Sequence, residues 1–319
     1  MKEPYGEKQS NKIDVSVVVV NWNSKDLLKN CLDSVYQTIN NLIFEIIVVD
    51  NASTDGSLEM LERDFPQVIR ISNQKNKGFG AANNQALAIM KGKYTLLLNT
   101  DALLTPHAVN KLWTFCEAES SAAIVCGQLL NADGSKQNSM ASFPSLLTLA
   151  ANTSLLEYLF PKQFPSKRYK HDKPIAVDSA IGACIMIRKK ALDEVSFFDE
   201  RYFFFFEETD LAYTMHLAGW KTYHISDACI YHLQGQSIGN NARSRIEFYR
   251  SRYQFLRKWH SLNYYICASG VIFVRLLINW AASCVMTTIT LGLVEKLRQK
   301  FVVYTRLIFW HLTYDKQQS

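Results

Sequence analysis

LLLNTDALLTP, residues 96–106, opens with three leucines, passes through the polar triplet Asn99, Thr100 and Asp101, and reaches a helix-starting Pro106. An apolar run with nothing polar on either face predicts a strand buried on both faces, as in a parallel sheet covered by helices. Such a strand carries its polar triplet to its C-terminal tip. In an open α/β sheet ligands bind beyond that edge, where the strand order reverses.

The surrounding sequence repeats the pattern. VSVVVV (15–20), FEIIVVD (44–50), VIRIS (68–72), YTLLL (94–98) and AAIVCG (122–127) read as strands. Helical stretches alternate with them at 25–38, around Leu58, Leu61 and Phe65, at 78–92 and at about 106–118. The alternation predicts an α/β fold with a mostly parallel central sheet flanked by helices. Residues 131–175 are less regular and punctuated by prolines, which suggests a mobile segment over a site. AVDSAIGACIMIRKKAL (176–192) reads as strand then helix. YFFFFEETDLAYTMHLAGW (202–220) reads as an aromatic strand entering a helix that ends at Gly219. KTYHI and ACIYH read as two short strands, the second ending in His232. The expected divisions are a polar tail (1–13), a catalytic domain (14–240) and a basic, apolar helical region (241–319).

Composition sets limits. The chain has 319 residues, 48% hydrophobic and 20% charged, which excludes a disordered protein. Seven scattered cysteines without a C-x-x-C pair read as reduced core thiols of a cytosolic protein. The first residues lack the apolar stretch of a signal peptide. The net charge is +6, yet residues from Asn241 onward carry twelve Lys/Arg against three Asp/Glu, so the body before them is slightly acidic. That asymmetry points to a tail that meets something anionic.

Three strand tips carry acids or amides at one sheet edge: Asp50-Asn51, Asp101 and Glu207-Glu208. Taken alone, Asp55 or Asp101 would read as a helix N-cap. Clustered carboxylates repel one another unless a cation or a proton relieves them. A divalent metal that also holds a diphosphate supplies such relief.

The ordered series VSVVVVNWNS, IIVVDNASTDGS, NKGFGAANNQA, LLLNTDALLTP, VDSAIGACIMIRKKAL and FFDERYFFFFEETDLAYTMHLAGW, followed by the His232 segment, resembles a family 2 glycosyltransferase of the GT-A fold. The branch is the one often called rhamnosyltransferase-like, and the match runs from about residue 14 to 238. The resemblance implies a nucleotide-sugar site at Asn21, Asp50, Asn51, Asp55, Gly78, Asn83, Asn99 and Asp101. It implies a metal, Mg²⁺ or Mn²⁺, held by Asp101 and His232. NTD at 99–101 resembles the family's D-x-D variant, with Thr100 where relatives often carry Pro. EETD at 207–210 resembles the Glu-Asp-x-Asp motif that carries the catalytic base. Glu208 stands where Asp is usual, so the base is Glu208 with Glu207 as the alternative, and Asp210 reads as a solvent-facing first-turn acid. The implied reaction is an inverting, metal-dependent transfer from a nucleoside-diphosphate sugar, dTDP-L-rhamnose being favoured. The implied acceptor is a hydroxyl of a lipid-linked saccharide in cell-surface polysaccharide synthesis. The alternative from another class is a non-catalytic sugar- or lipid-binding subunit of a glycan-assembly complex; the intact Asp101 and EETD set weighs against it.

Other readings fail on spacing. GFGAAN follows the third strand and lacks the G-x-G-x-x-G order of a dinucleotide site, and no P-loop occurs. The basic cluster at 243–258 adjoins the charge-free run 276–294, which nucleic-acid binding does not require and a membrane does. Cations flank that run on both sides, at Arg275 and at Lys296, Arg298 and Lys300. This favours a helix lying at the cytoplasmic face of the cell membrane, peripheral or monotopic, over one that spans it. The other use of these helices is a homodimer interface.

Overall fold

The computed structural model describes residues 12–167, 169–233 and 242–313. The first eleven residues of the expected tail, and the expected boundary at 240/241, lie outside the described residues. In chain order the first half contains β1 (Val15–Asn21), α1 (Lys25–Thr38), β2 (Phe44–Asp50), α2 (Ser57–Asp64), β3 (Ile69–Ser72), α3 (Phe79–Leu87), β4 (Tyr94–Leu98), β5 (Ala102–Leu104), α4 (Ala108–Ala118) and β6 (Ala122–Leu130). Then follow β7 (Met140–Ala141), α5 (Leu146–Ala150), α6 (Thr153–Leu159), β8 (Ile175–Val177), β9 (Ser179–Ala180), β10 (Cys184–Arg188), α7 (Lys189–Val195), α8 (Glu207–Leu217) and β11 (Lys221–His232). Three long helices close the chain: α9 (Ala242–Trp259), α10 (Leu262–Ile289) and α11 (Glu295–Thr313).

The main sheet runs β3-β2-β1-β4-β10-β6-β11-β5, with β8 also on β11. The first four strands are all parallel, and β6 pairs parallel with β11. Between these blocks β10 runs antiparallel to both β4 and β6. Strand order reverses at β1, which has β2 on one side and β4 on the other. The carboxyl ends of β1, β2 and β4 therefore border one crevice.

Both faces of the sheet are covered, which explains the unbroken apolar runs. Val15, Val17, Val19, Leu96 and Leu98 face α1, α2 and α4, through Leu28, Leu32, Met60, Leu61 and Leu112. Val18, Ile47, Val49 and Leu97 face α3, α7 and α8, through Ala82, Ala86, Leu192, Leu211 and Met215. Successive side chains of a strand point to opposite faces, so each strand supplies both cores. Cys31, Cys116, Cys126 and Cys184 are buried thiols, and Cys267 is exposed.

Four expectations change. The run 202–206 is no strand; it is a chain of bends in which Phe205 and Phe206 take φ of 68° and 70°. Its rings pack on α9, where Tyr202 and Phe206 join the fully buried Phe255. Residues 221–232 form one strand, not two, with a bulge between Ile225 and Cys229. The run 276–294 is not one helix: α10 begins fourteen residues earlier, at Leu262, and ends at Ile289, and Leu291 and Gly292 turn the chain at positive φ into α11. Residues 145–159, expected in a lid, form α5 and α6, and Leu149 packs into the core shared by α9, α10 and α11.

Gly78 sets the approach of the aromatic loop. It takes φ +87°, and a Cβ there would lie 2.5 Å from the Phe203 carbonyl oxygen. Gly78→Ala should destabilise the protein by about 1–3 kcal/mol in chemical denaturation, because strain and collision act together. A midpoint equal to wild type would show that the loop moves aside freely.

Candidate functional site

Strand pairing builds the carboxylate–imidazole pair. Beyond β4 the chain turns, with Asn99 N–H donating to the Ala183 carbonyl (2.9 Å) and Ala102 N–H to the Asn99 carbonyl (3.1 Å). β5 then pairs antiparallel with β11 so that Ala102 faces His232. Leu233 N–H closes the ladder on the Asp101 carbonyl (2.8 Å). That register brings Asp101 Oδ1 to 3.4 Å from His232 Nε2, with both side chains buried.

A residue outside the recognised motifs fixes the imidazole. Gln137, on the hairpin after β6, receives a hydrogen bond from His232 Nδ1 on its Oε1 (2.9 Å). Its Nε2 donates to the His232 carbonyl (2.5 Å), which settles the amide orientation. Nδ1 is thus the protonated nitrogen, and the Nε2 lone pair faces the carboxylate side. Asp101 and His232 Nε2 bring a carboxyl and an imidazole nitrogen to one spot, a donor set that fits a divalent cation completed by phosphate oxygens and water. Among the described residues no group of three or more His, Cys, Asp or Glu gathers for a metal. Gln137 was missed because a lone polar residue in a turn-like stretch, DGSKQNS, carries no spacing signal.

The ends of β1 and β2 form the second part. Asn21 pairs in register with Asp50, and its Nδ2 donates to Asp50 Oδ2 (2.8 Å) and Ser53 Oγ (3.0 Å). Asn21 Oδ1 is buried without a donor among the described residues. Asn51 Nδ2 donates to the Gly78 carbonyl (3.1 Å), and its Oδ1 accepts from Asn73 (3.0 Å). Asp55 accepts the Lys25 N–H (2.8 Å) at the start of α1 and the Ser57 N–H (3.1 Å) at the start of α2. Its oxygens thus hold two helix N-termini. Asn83 is buried, with its Nδ2 on the Phe79 carbonyl one turn back (2.9 Å). Asn99 lies on the turn that carries Asp101.

The acidic pair opens α8. The left-handed Phe205 and Phe206 reverse the chain just before Glu207. Glu207 is 3% exposed, and its Oε2 has no partner among the described residues. Glu208 is partly exposed and packs on Gly182, where a Cβ would stand 3.7 Å from the Glu208 Cδ. Gly182 adjoins Ala183, the residue bonded to Asn99, so the acid pair borders the Asp101 turn. Burial pushes both carboxyls up, Glu207 well above the usual range and Glu208 to about 7. The Glu208 charge raises Glu207 further, whereas backbone N–H groups, including that of Gly182, restrain the rise at Glu208. The two environments differ, Glu207 enclosed and Glu208 resting on backbone N–H groups, and the coupled pair holds protons more strongly than free carboxyls.

Asp210 is not solvent-facing. It is 2% exposed, accepts from Tyr202 (3.1 Å) and Trp259 (2.7 Å), and pairs with Lys258 at 2.6 Å. Lys258 also holds Asp199 at 2.8 Å. α9 is thereby latched to the helix that starts with the acid pair.

Residues 16–196 match the family described as Glycosyl transferase family 2. An N-acetylglucosaminyl-diphospho-decaprenol L-rhamnosyltransferase of Mycobacterium tuberculosis is 25% identical over 232 residues, 68% of this chain and 75% of that protein. A poly(ribitol-phosphate) beta-glucosyltransferase of Bacillus spizizenii is 36% identical over 125 residues, 38% of this chain and 20% of that protein. Among solved structures, a mannosyltransferase of Pyrobaculum calidifontis in complex with GDP-Man and Mn²⁺ superposes with a TM-score of 0.57 at 15% identity, covering 98% of this chain and 90% of that one. It shares the fold, a central sheet between helices.

The Gln137 contact yields a measurement. In a Mn²⁺ titration followed by electron paramagnetic resonance, Gln137→Leu should bind the ion about 10- to 100-fold more weakly. Gln137→Glu, which keeps an acceptor on Nδ1–H, should restore most of that affinity. Equal weakening in both variants, or equal loss of thermal stability, would reduce Gln137 to a packing residue.

Proposed function

The chain belongs to glycosyl transferase family 2 and is a glycosyltransferase, and on that premise we propose that it transfers a sugar, with inversion, from a nucleoside diphosphate to a lipid-linked saccharide. The observation that carries this reading is the Glu207–Glu208 pair, packed at Gly182 beside the turn that brings Asp101 to His232. Nucleotide and ribose would lie along Asn21, Asp50 and Asn51, with Asn21 Oδ1 placed to accept a donor hydrogen bond. Gly78, Asn83 and Asp55 serve this pocket by holding its walls, and Asn99 borders the sugar. Enzymes of this fold generally use a divalent metal. Asp101 and His232 would hold it, and when bound it offsets the charge on the departing nucleoside diphosphate.

Glu208 takes the proton of the acceptor hydroxyl as that oxygen attacks the anomeric carbon from the face opposite the leaving group. Its carboxyl ionises near the working pH, which suits a general base. Glu207 is enclosed beside it, and repulsion between two adjacent carboxylates favours a single charge on the pair. A single displacement inverts the anomeric centre. The donor best supported is dTDP-L-rhamnose, because the relative spanning most of this chain is named an L-rhamnosyltransferase. That relative's name also includes a diphospho-decaprenol, which supports a lipid-linked acceptor.

The C-terminal hairpin supports a membrane seat. α10 spans 28 residues with a window of mean hydropathy 1.6, of which 22% is buried. Ile266, Val274, Ile278, Val285 and Ile289 on α10, and Phe309 on α11, face outward. We place this surface at the cytoplasmic face of the cell membrane, where the donor nucleotide is available.

Two measurements test these readings. Glu208→Gln should lower turnover about 10²- to 10⁴-fold with donor binding unchanged. In the wild type, activity should fall as pH drops through about 7, because Glu208 then takes up a proton and ceases to be a base. Retained activity in Glu208→Gln with loss in Glu207→Gln would move the base by one residue. The full chain should float with anionic vesicles; a protein that stays in the aqueous fraction and instead dimerises gives the hairpin to an oligomer interface.

A further inference from the structure

α9 carries arginines that its own side chains do not neutralise. Arg250 pairs with Glu247 at 2.6 Å. Arg252 has no carboxylate within ion-pair distance among the described residues. Its guanidinium instead lies over the rings of Phe248 (4.6 Å), Tyr249 (5.5 Å) and Phe206 (5.9 Å). Its Nε is shut away from water without an acceptor among the described residues. Burial pushes its pKa down, Tyr249 and Tyr253 act upward, and Arg275 and Arg245 act downward. Arg245 stands two turns before Arg252 on the same side of α9. Arg275 is held in place by the Leu149 and Ala151 carbonyls at the end of α5 (2.9 and 3.1 Å).

The location gives the cluster meaning. Phe206, one wall of the aromatic cage, immediately precedes Glu207. Ser251, the neighbour of Arg252, donates to the Phe204 carbonyl (2.8 Å). The guanidinium therefore sits where the loop before the acid pair meets α5, α9 and the apolar α10. Converging cations without counter-charges call for an anion, and a planar guanidinium suits two phosphate oxygens at once. Stacking on rings fixes the fork before any ligand arrives.

We propose that Arg252, flanked by Arg245 and Arg275, forms a second anion site that holds the diphosphate of a lipid-linked acceptor, separate from the donor diphosphate site at Asp101 and His232. The inference rests on the reading of the acceptor as lipid-linked. Anchoring the diphosphate here sets the attached sugar toward Glu208 and the hydrocarbon chain toward α10.

The test uses the full-length chain in neutral detergent with EDTA, and farnesyl diphosphate as the probe in calorimetric titration. Arg252→Gln should weaken binding about tenfold or more, since each charge-assisted bond to phosphate is strong. Arg252→Lys should fall between, and Arg63→Gln, on the distant α2, should bind like wild type. Arg245→Gln alters an exposed side chain, so it keeps the test open if Arg252→Gln does not fold; it should weaken binding a few-fold. Unchanged affinity in Arg252→Gln, or in Arg245→Gln where the former is unfolded, overturns the site. Loss of binding to phosphatidylglycerol vesicles with farnesyl diphosphate binding intact also overturns it, assigning the arginines to bilayer headgroups. Efficient transfer to a free saccharide, with farnesyl diphosphate still bound through Arg252, instead overturns the lipid-linked acceptor and leaves the anion site standing.

Discussion

The hydrogen bond from Asn99 N–H to the Ala183 carbonyl joins the two halves of the molecule, and the arrangement of the site follows from it. It extends the antiparallel β4–β10 ladder one step past Leu98, which pairs with Cys184. Without β10 the parallel block would end at β4, and its C-terminal turn would face solvent. With β10 in place, the turn carrying Asp101 lies against the strand that supports Glu208 through Gly182. Nucleotide end and acid end are then set by backbone pairing, which is stiffer than any side-chain contact.

A second constraint ties the C-terminal helices to that centre. Asp210 is buried and needs its cation, because a buried carboxylate deprived of its partner carries a large desolvation penalty. The partner, Lys258, comes from α9, as does Trp259. Phe255 fills the space beneath Phe206. α9 is thus an integral neighbour of the catalytic helix, and cutting the chain just before it would remove both a buried ion pair and an aromatic core. A displacement of the α10–α11 hairpin would reach α8 through this latch.

Much of this was legible in the sequence because burial on both faces leaves a strong imprint. The runs at 15–20, 44–50 and 94–98 could be placed as parallel strands, with their polar tips at one carboxyl edge, from alternation and composition alone. The aromatic run 202–206 misled because phenylalanine favours strands as strongly as it favours packing against a helix. Its conformation is set by Gly78 and α9, both distant in sequence. The strand 221–232 looked like two because the bulge at Ser226–Ala228 interrupts its apolar pattern. Helix boundaries near 290 were hidden because Thr290–Val294 stay apolar through the turn. Gln137 and Lys258 act on His232 and Asp210, 95 and 48 positions away, and one sequence offers no periodic trace of such pairs.

The uneven charge along the chain has a physical division of labour in this arrangement. Acids and amides gather at the strand tips of the body, at Asn21, Asp50, Asn51 and Asp101. Cations dominate α9, with Arg250 paired to Glu247 and Lys258 to Asp199 and Asp210. The acid pair and the Arg252 guanidinium meet at Phe206, which precedes Glu207 in the chain and lies under the guanidinium, so the aromatic loop couples the two charged regions.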